Sequence, residues 1–92
     1  MIRASCGGAH LTVRGHAGYG EYGKDIVCAA ASALVYALAG RLRETGRLER
    51  FQSAPGYAGI AGTGDCAREF ALVRCGLALL ARQYPDRVEV GS

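Results

Sequence analysis

Leu11 and Val13 alternate with His10, Thr12 and Arg14. This period of two predicts a half-buried strand over Ala9–Arg14. Ile2–Cys6 precedes it as a short strand candidate, and Gly7-Gly8 reads as a two-residue hairpin turn, because glycine accepts the positive φ such turns demand. The period then changes. Val27, Ala31, Leu34, Leu38 and Leu42 recur at helical spacing within an alanine-rich stretch, predicting a helix from about Ile26 to Arg43. Asp25 is placed to cap it, and Arg41 and Arg43 fall in its last turn, where cations complement the dipole. Gly46 breaks the pattern. Leu48–Ser53 and Tyr57–Thr63 read as strands joined by the turn signal Pro55-Gly56. Cys66, Phe70, Val73, Leu77, Leu80 and Tyr84 form the stripe of a second helix, Cys66–Tyr84, capped by Asp65 and stopped by Pro85. Arg87–Val90 is a last strand candidate.

The predicted order is ββαββαβ. Hairpins alternating with helices indicate an α+β fold, one mostly antiparallel sheet with both helices packed on it. Residues 1–92 read as a single domain. A chain of this length buries only about two-thirds of its unfolded surface, so its core is small and a homodimer would suit it. Half the residues are hydrophobic and 21% are charged, which excludes a disordered chain. No apolar run approaches the ~18 residues of a membrane span, and no leader pattern opens the sequence. The expected compartment is the cytoplasm, with no membrane association.

Eleven cations against eight anions give a net charge of +3, too mild to point to a polyanion. Arg41, Arg43, Arg47 and Arg50 are offset by Glu44 and Glu49 and have no interleaved aromatic residues. Direct nucleic-acid binding is therefore not expected, although a small basic binding module is the alternative reading. Cys6, Cys28, Cys66 and Cys75 lack a CxxC pair, and Cys6 with His10 makes only one C-x3-H, so neither metal nor cofactor is expected. All four read as free thiols.

One stretch carries chemistry. Cys28 falls three residues after the capping Asp25, in a first helical turn whose N–H groups and positive dipole end favour a thiolate. A nearby Asp25 charge would oppose that effect. His16 ends the second strand, and the intervening glycine loop can bring it to the helix start. A Cys and a His in contact are the minimum for thiol-based nucleophilic catalysis, with the first-turn N–H groups as natural oxyanion donors. Ser32 lies one turn after Cys28 on the same helical face. Spacing alone leaves open a core cysteine and a solvated histidine.

The residues themselves say more. Gly15-His16-Ala17, the loop Gly18-Tyr19-Gly20-Glu21-Tyr22-Gly23, then Asp25-Ile26-Val27-Cys28-Ala29 and Ser32-Ala33 closely resemble the signature of the ribosomal-processing cysteine protease family, Prp. Ala31 departs from it, standing where a larger aliphatic residue is common. The resemblance implies a bacterial, cytoplasmic, homodimeric endopeptidase that removes a short N-terminal extension from the precursor of large-subunit ribosomal protein twenty-seven. It implies Cys28 as nucleophile and His16 as general acid/base, with Gly15, Asp25 and Ser32 at further motif positions. The family's target is an extended peptide with bulky apolar residues before the cut. Closure of the glycine loop over that peptide, with Tyr19 and Tyr22 against its side chains, is the corresponding expectation. No third triad member is identifiable, and the sequence leaves open whether His16 and Cys28 meet without substrate.

Overall fold

In the computed structural model, which describes residues 1–18, 20 and 25–91, the chain runs β1 (Ile2–Cys6), β2 (His10–Arg14), α1 (Ile26–Glu44), β3 (Leu48–Ala54), β4 (Tyr57–Gly62), α2 (Ala67–Gln83) and β5 (Val88–Gly91). This is the expected ββαββαβ order, with boundaries shifted by one residue at several ends. The five strands form one sheet in the order β3-β4-β2-β1-β5. Three neighbouring pairs are antiparallel, while β5 joins β1 in parallel with Ile2 opposite Val88.

The alternation read from β2 sets which face is dry. Ile2, Ala4, Cys6, Leu11, Val13, Ile60 and Val88 point into the core, against Val27, Ala31, Val35, Leu38, Ala39 and Leu42 of α1 and Phe70, Val73 and Leu77 of α2. The opposite face carries the exposed Arg3, His10, Arg14 and Glu89, with Arg14 over the Tyr57 ring at 4.8 Å. Both helices thus cover one face of the sheet. α1 is long and apolar enough to cross a membrane by length and composition, a property the residue-by-residue reading missed. Its apolar face is spent on the sheet.

Three local expectations are corrected. Cys6 pairs with Leu11 and the Gly7 N–H donates to His10 O, so Gly8 and Ala9 make the hairpin tip. Neither Gly7 nor Gly8 adopts a positive φ. Asp65 does not cap α2: the N-cap position is Cys66, whose side chain makes no capping bond. Cys66 is 1% exposed, so burial of its thiol against the core, rather than a carboxylate, sets where the helix begins. Leu34 is only half-buried and Val35 takes its place in the core, because Leu34 lies over Gly76 of α2, where a Cβ would meet it at 2.8 Å.

Pro55-Gly56 forms the expected turn between Ala54 and Tyr57, with Gly56 at φ +74°. That value suits the second central position of a turn with proline at the first. The turn lies at the end of the sheet nearest the start of α1, and the site is built there.

Candidate active site

Asp25 sets the first turn of α1. Its Oδ1 accepts from the N–H groups of Val27 and Cys28, both at 3.0 Å, and its carbonyl oxygen accepts from Ala29 at 2.9 Å. A nearly buried carboxylate holding two otherwise unpartnered donors is the capping role expected of it. This corrects one expectation: the N–H groups of Val27 and Cys28 serve the cap and are not open oxyanion donors.

A different backbone donor faces the sulfur. The Ala17 N–H donates to Cys28 Sγ at 3.2 Å. The same peptide group accepts on its other side, where the Met1 nitrogen donates to His16 O at 2.6 Å. A peptide held at both ends is fixed in orientation and polarised, which strengthens its N–H as a donor. Ala17 is 1% exposed, so this contact is shielded from water on the protein side.

Gly15 shapes the approach. It sits at φ +94°, and a Cβ there would run into Met1 O. Its N–H donates to Gly56 O at 2.8 Å, tying the end of β2 to the β3–β4 turn. His16 then lies over Gly56: a Cβ at residue 56 would stand 2.9 Å from His16 Nε2. Glycine is therefore needed at 15 for both conformation and space, and at 56 to admit the imidazole.

His16 and Cys28 line one cleft of about 730 Å³, together with Asp25, Ser32, Tyr36 and the Ser53–Gly56 segment. His16 is exposed and Cys28 half-buried. No hydrogen bond joins them, so the cleft brings the two together without assembling a bonded dyad. Ser32 is exposed to the cleft one turn beyond Cys28. One turn further, Tyr36 bonds Ser53 at 3.0 Å and meets Phe51 edge-on at a centroid distance of 5.8 Å, joining α1 to β3 along the wall. Tyr19, Tyr22 and most of the glycine loop lie outside the described residues, while Gly20 borders the cleft.

The other thiols are placed differently. All four cysteines are free. Cys6 and Cys66 are buried and Cys75 is exposed on α2. Burial pushes the Cys6 thiol up from its ordinary range, partly offset by the Arg74 charge. Among the described residues no cluster of three or more His, Cys, Asp or Glu side chains could hold a metal.

Neither Ala17 nor Arg87 has an expected site role of its own from the sequence, whereas Gly56 lies in the glycine-rich segment Gly56, Gly59, Gly62 and Gly64 that is expected to shape a substrate wall or a dimer face. Arg87 reaches from the start of β5 to donate from Nη1 to Gly18 O at 2.7 Å and Ala17 O at 3.4 Å. Pro55-Gly56 announced a turn, but nothing local says that the turn lands beside His16. Arg87 carries no local signal at all, since its partners lie about seventy positions away.

Known proteins share this fold. The structure is similar to the ribosomal processing protease Prp of S. aureus in complex with a covalently linked product peptide, at a TM-score of 0.82 and 21% identity, covering 98% of this chain and 95% of that one. The same S. aureus protease with a substrate peptide gives a TM-score of 0.76 at 18% identity, covering 98% and 95%. SMU.848 of Streptococcus mutans is 30% identical at a TM-score of 0.72, covering 98% of this chain and 91% of that one. No curated protein matches the sequence. The family model for cysteine protease Prp matches residues 2–89, nearly the whole chain, and the protein with this thiol in its cleft therefore belongs to the cysteine protease Prp family.

Proposed function

We propose that the protein is an endopeptidase that trims the N-terminal extension from a ribosomal protein precursor, with Cys28 as nucleophile and His16 as general acid/base. By the family resemblance the precursor is that of large-subunit ribosomal protein twenty-seven. The observation that carries this reading is the Ala17 N–H on the Cys28 sulfur, inside a cleft that also holds His16. A buried N–H aimed at the sulfur holds the nucleophile in one place beside the peptide's path.

The mechanism follows from the placement. His16 takes the Cys28 thiol proton as the sulfur attacks the scissile carbonyl carbon and the C=O electron pair moves to oxygen. As charge leaves the sulfur, the Ala17 N–H is left facing the new oxyanion and stabilises it. His16, as imidazolium, protonates the leaving amine, and the C–N bond breaks to give a thioester on Cys28. His16 then takes a proton from water, the hydroxide attacks the thioester, and the carboxylate product and free thiol are released. The missing bond between His16 and Cys28 fits an arrangement that tightens only around substrate, as catalytic contacts often do. Closure of the glycine loop, with Tyr19 and Tyr22 against the peptide, belongs to the same reading. The covalently linked product peptide of the S. aureus protease supports a covalent route.

The cleft suits an extended peptide. β3 is an edge strand, and its Ser53–Ala54 end forms one wall, so main-chain groups there can pair with a substrate strand. Val35, Tyr36 and Pro55 supply apolar surface for bulky side chains. Ser32 offers a hydroxyl to the peptide. The working form is a homodimer, a reading supported by the small core and by Leu72 and Leu79, which stand 73% and 52% exposed on α2, and the family resemblance implies the cytoplasm.

The test is incubation of the unprocessed precursor with the parent protein and with Cys28→Ala, read by intact mass. Loss of a short N-terminal peptide with the parent alone is expected. Cutting by both proteins, or by neither, would overturn the assignment.

A further inference from the structure

We infer that Arg87 is a positioning residue for the Cys28 sulfur, acting through the backbone of Ala17 and Gly18; this rests on the reading of Cys28 as nucleophile. Arg87 is itself firmly placed. Its carbonyl oxygen accepts from the Ile2 N–H at 2.8 Å, and its N–H donates to Tyr84 O at 2.9 Å. It is thereby bound to both β1 and the end of α2. From this anchor its Nη1 spans to Gly18 O at 2.7 Å and Ala17 O at 3.4 Å. Gly18, at φ +66°, is where the chain leaves the end of β2 for the glycine loop, and Arg87 Nη1 lies 3.4 Å from where its Cβ would be.

The geometry makes this contact matter to the chemistry. The Ala17 N–H that meets the sulfur belongs to the peptide just before the carbonyl that Arg87 holds. Met1 holds that peptide through His16 O, and Arg87 holds the two carbonyls that follow it, Ala17 O and Gly18 O. Without the guanidinium, two carbonyl oxygens lose a charged donor and the backbone after Ala17 is free to shift, carrying the Ala17 Cα and with it the N–H off the sulfur. Charge-assisted bonds of this kind are among the stronger hydrogen bonds in proteins. The titratable groups sharing the cleft with Cys28 among the described residues are His16, Asp25, Tyr36 and Tyr57. The route from Arg87 to the sulfur runs through the Ala17 and Gly18 backbone.

The experiment compares the parent, Arg87→Ala and Arg87→Lys in two ways. One is steady-state cleavage of a precursor-derived peptide. The other is the rate of Cys28 alkylation by iodoacetamide at neutral pH without substrate, in a Cys75→Ser background, because Cys6 and Cys66 are buried. Circular dichroism at the assay temperature confirms that each variant is folded. Arg87→Ala is expected to lower kcat about tenfold with KM little changed, since positioning acts on the reacting atoms rather than on substrate binding. It is also expected to slow alkylation, because the sulfur loses the N–H that holds it toward the cleft. Arg87→Lys should recover part of both losses, an ammonium being able to reach Gly18 O. Unchanged kcat and alkylation in a folded Arg87→Ala variant would overturn the inference, as would a lysine variant no better than alanine in either readout. The alkylation arm needs no turnover. If Cys28→Ala still cut peptide, the nucleophile reading would fail, and the alkylation rates would still judge the Arg87 clamp on their own.

Discussion

His16 lies against Gly56, so closely that a Cβ on residue 56 would stand 2.9 Å from Nε2. The turn between β3 and β4 is therefore one wall of the imidazole's seat. Gly56→Ala should push the ring out of that seat while straining a backbone held at φ +74°. An L-residue in that region costs about 1–2 kcal/mol. We expect kcat to fall at least about tenfold, the scale of a small misplacement of a reacting group, with a modest drop in the urea midpoint. Retention of full kcat would show that His16 does not depend on this seat.

Thiol reactivity should sort the four cysteines. Iodoacetamide on the native protein is expected to label Cys28 and Cys75 and to spare Cys6 and Cys66, which are buried. Intact mass should therefore show two adducts without denaturant and four with it. Cys28→Ala should show one adduct fewer in both conditions, with an unchanged far-ultraviolet spectrum.

Asp25 carries the helix cap and adjoins the sulfur's turn. Asp25→Ala leaves the N–H groups of Val27 and Cys28 without their acceptor and should cost about 1 kcal/mol. Asp25→Asn keeps an acceptor at that place and should recover most of the loss. Urea denaturation of the three proteins checks the order, and equal midpoints for Ala and Asn would remove the capping role.

Tyr36 tests the cleft wall. Its ring is 55% exposed, so its bond to Ser53 adds little to stability, and Tyr36→Phe should leave the melting temperature nearly unchanged. Tyr36→Ala also removes apolar surface along the peptide's path. It should raise KM for a precursor-derived peptide several-fold while leaving kcat near the parent value, because Tyr36 lies two turns from Cys28 along α1.

Leu42 and Leu77 are fully buried where α1 and α2 close the core. Leu77→Ala should cost about 2–5 kcal/mol. That is a large share of the about 5–15 kcal/mol a domain commands. Thermal unfolding should show a much lower melting temperature, and a small shift would mean that the neighbouring side chains collapse into the space.

Much of this protein is local and was legible. The alternation of Leu11 and Val13 defined the buried face of β2, helical spacing from Val27 to Leu42 defined α1, and Asp25 announced its cap because a carboxylate before a helix has one obvious set of donors. The motif from Gly15 to Ser32 put His16 and Cys28 forward through residue identity. Where local patterns are thin, tertiary packing decides: the buried Cys66, not Asp65, holds the N-cap position of α2, and Val35, not Leu34, holds the core position on α1. What only the tertiary structure decided is which distant backbone groups meet the sulfur. Pairing of β2 with β4 brings Gly56 under His16, and the parallel pairing of β5 with β1 delivers Arg87 to Ala17 and Gly18. Such contacts depend on register and on the packing of strands far apart in the chain, and a side chain's reach across that distance leaves no periodic trace in sequence.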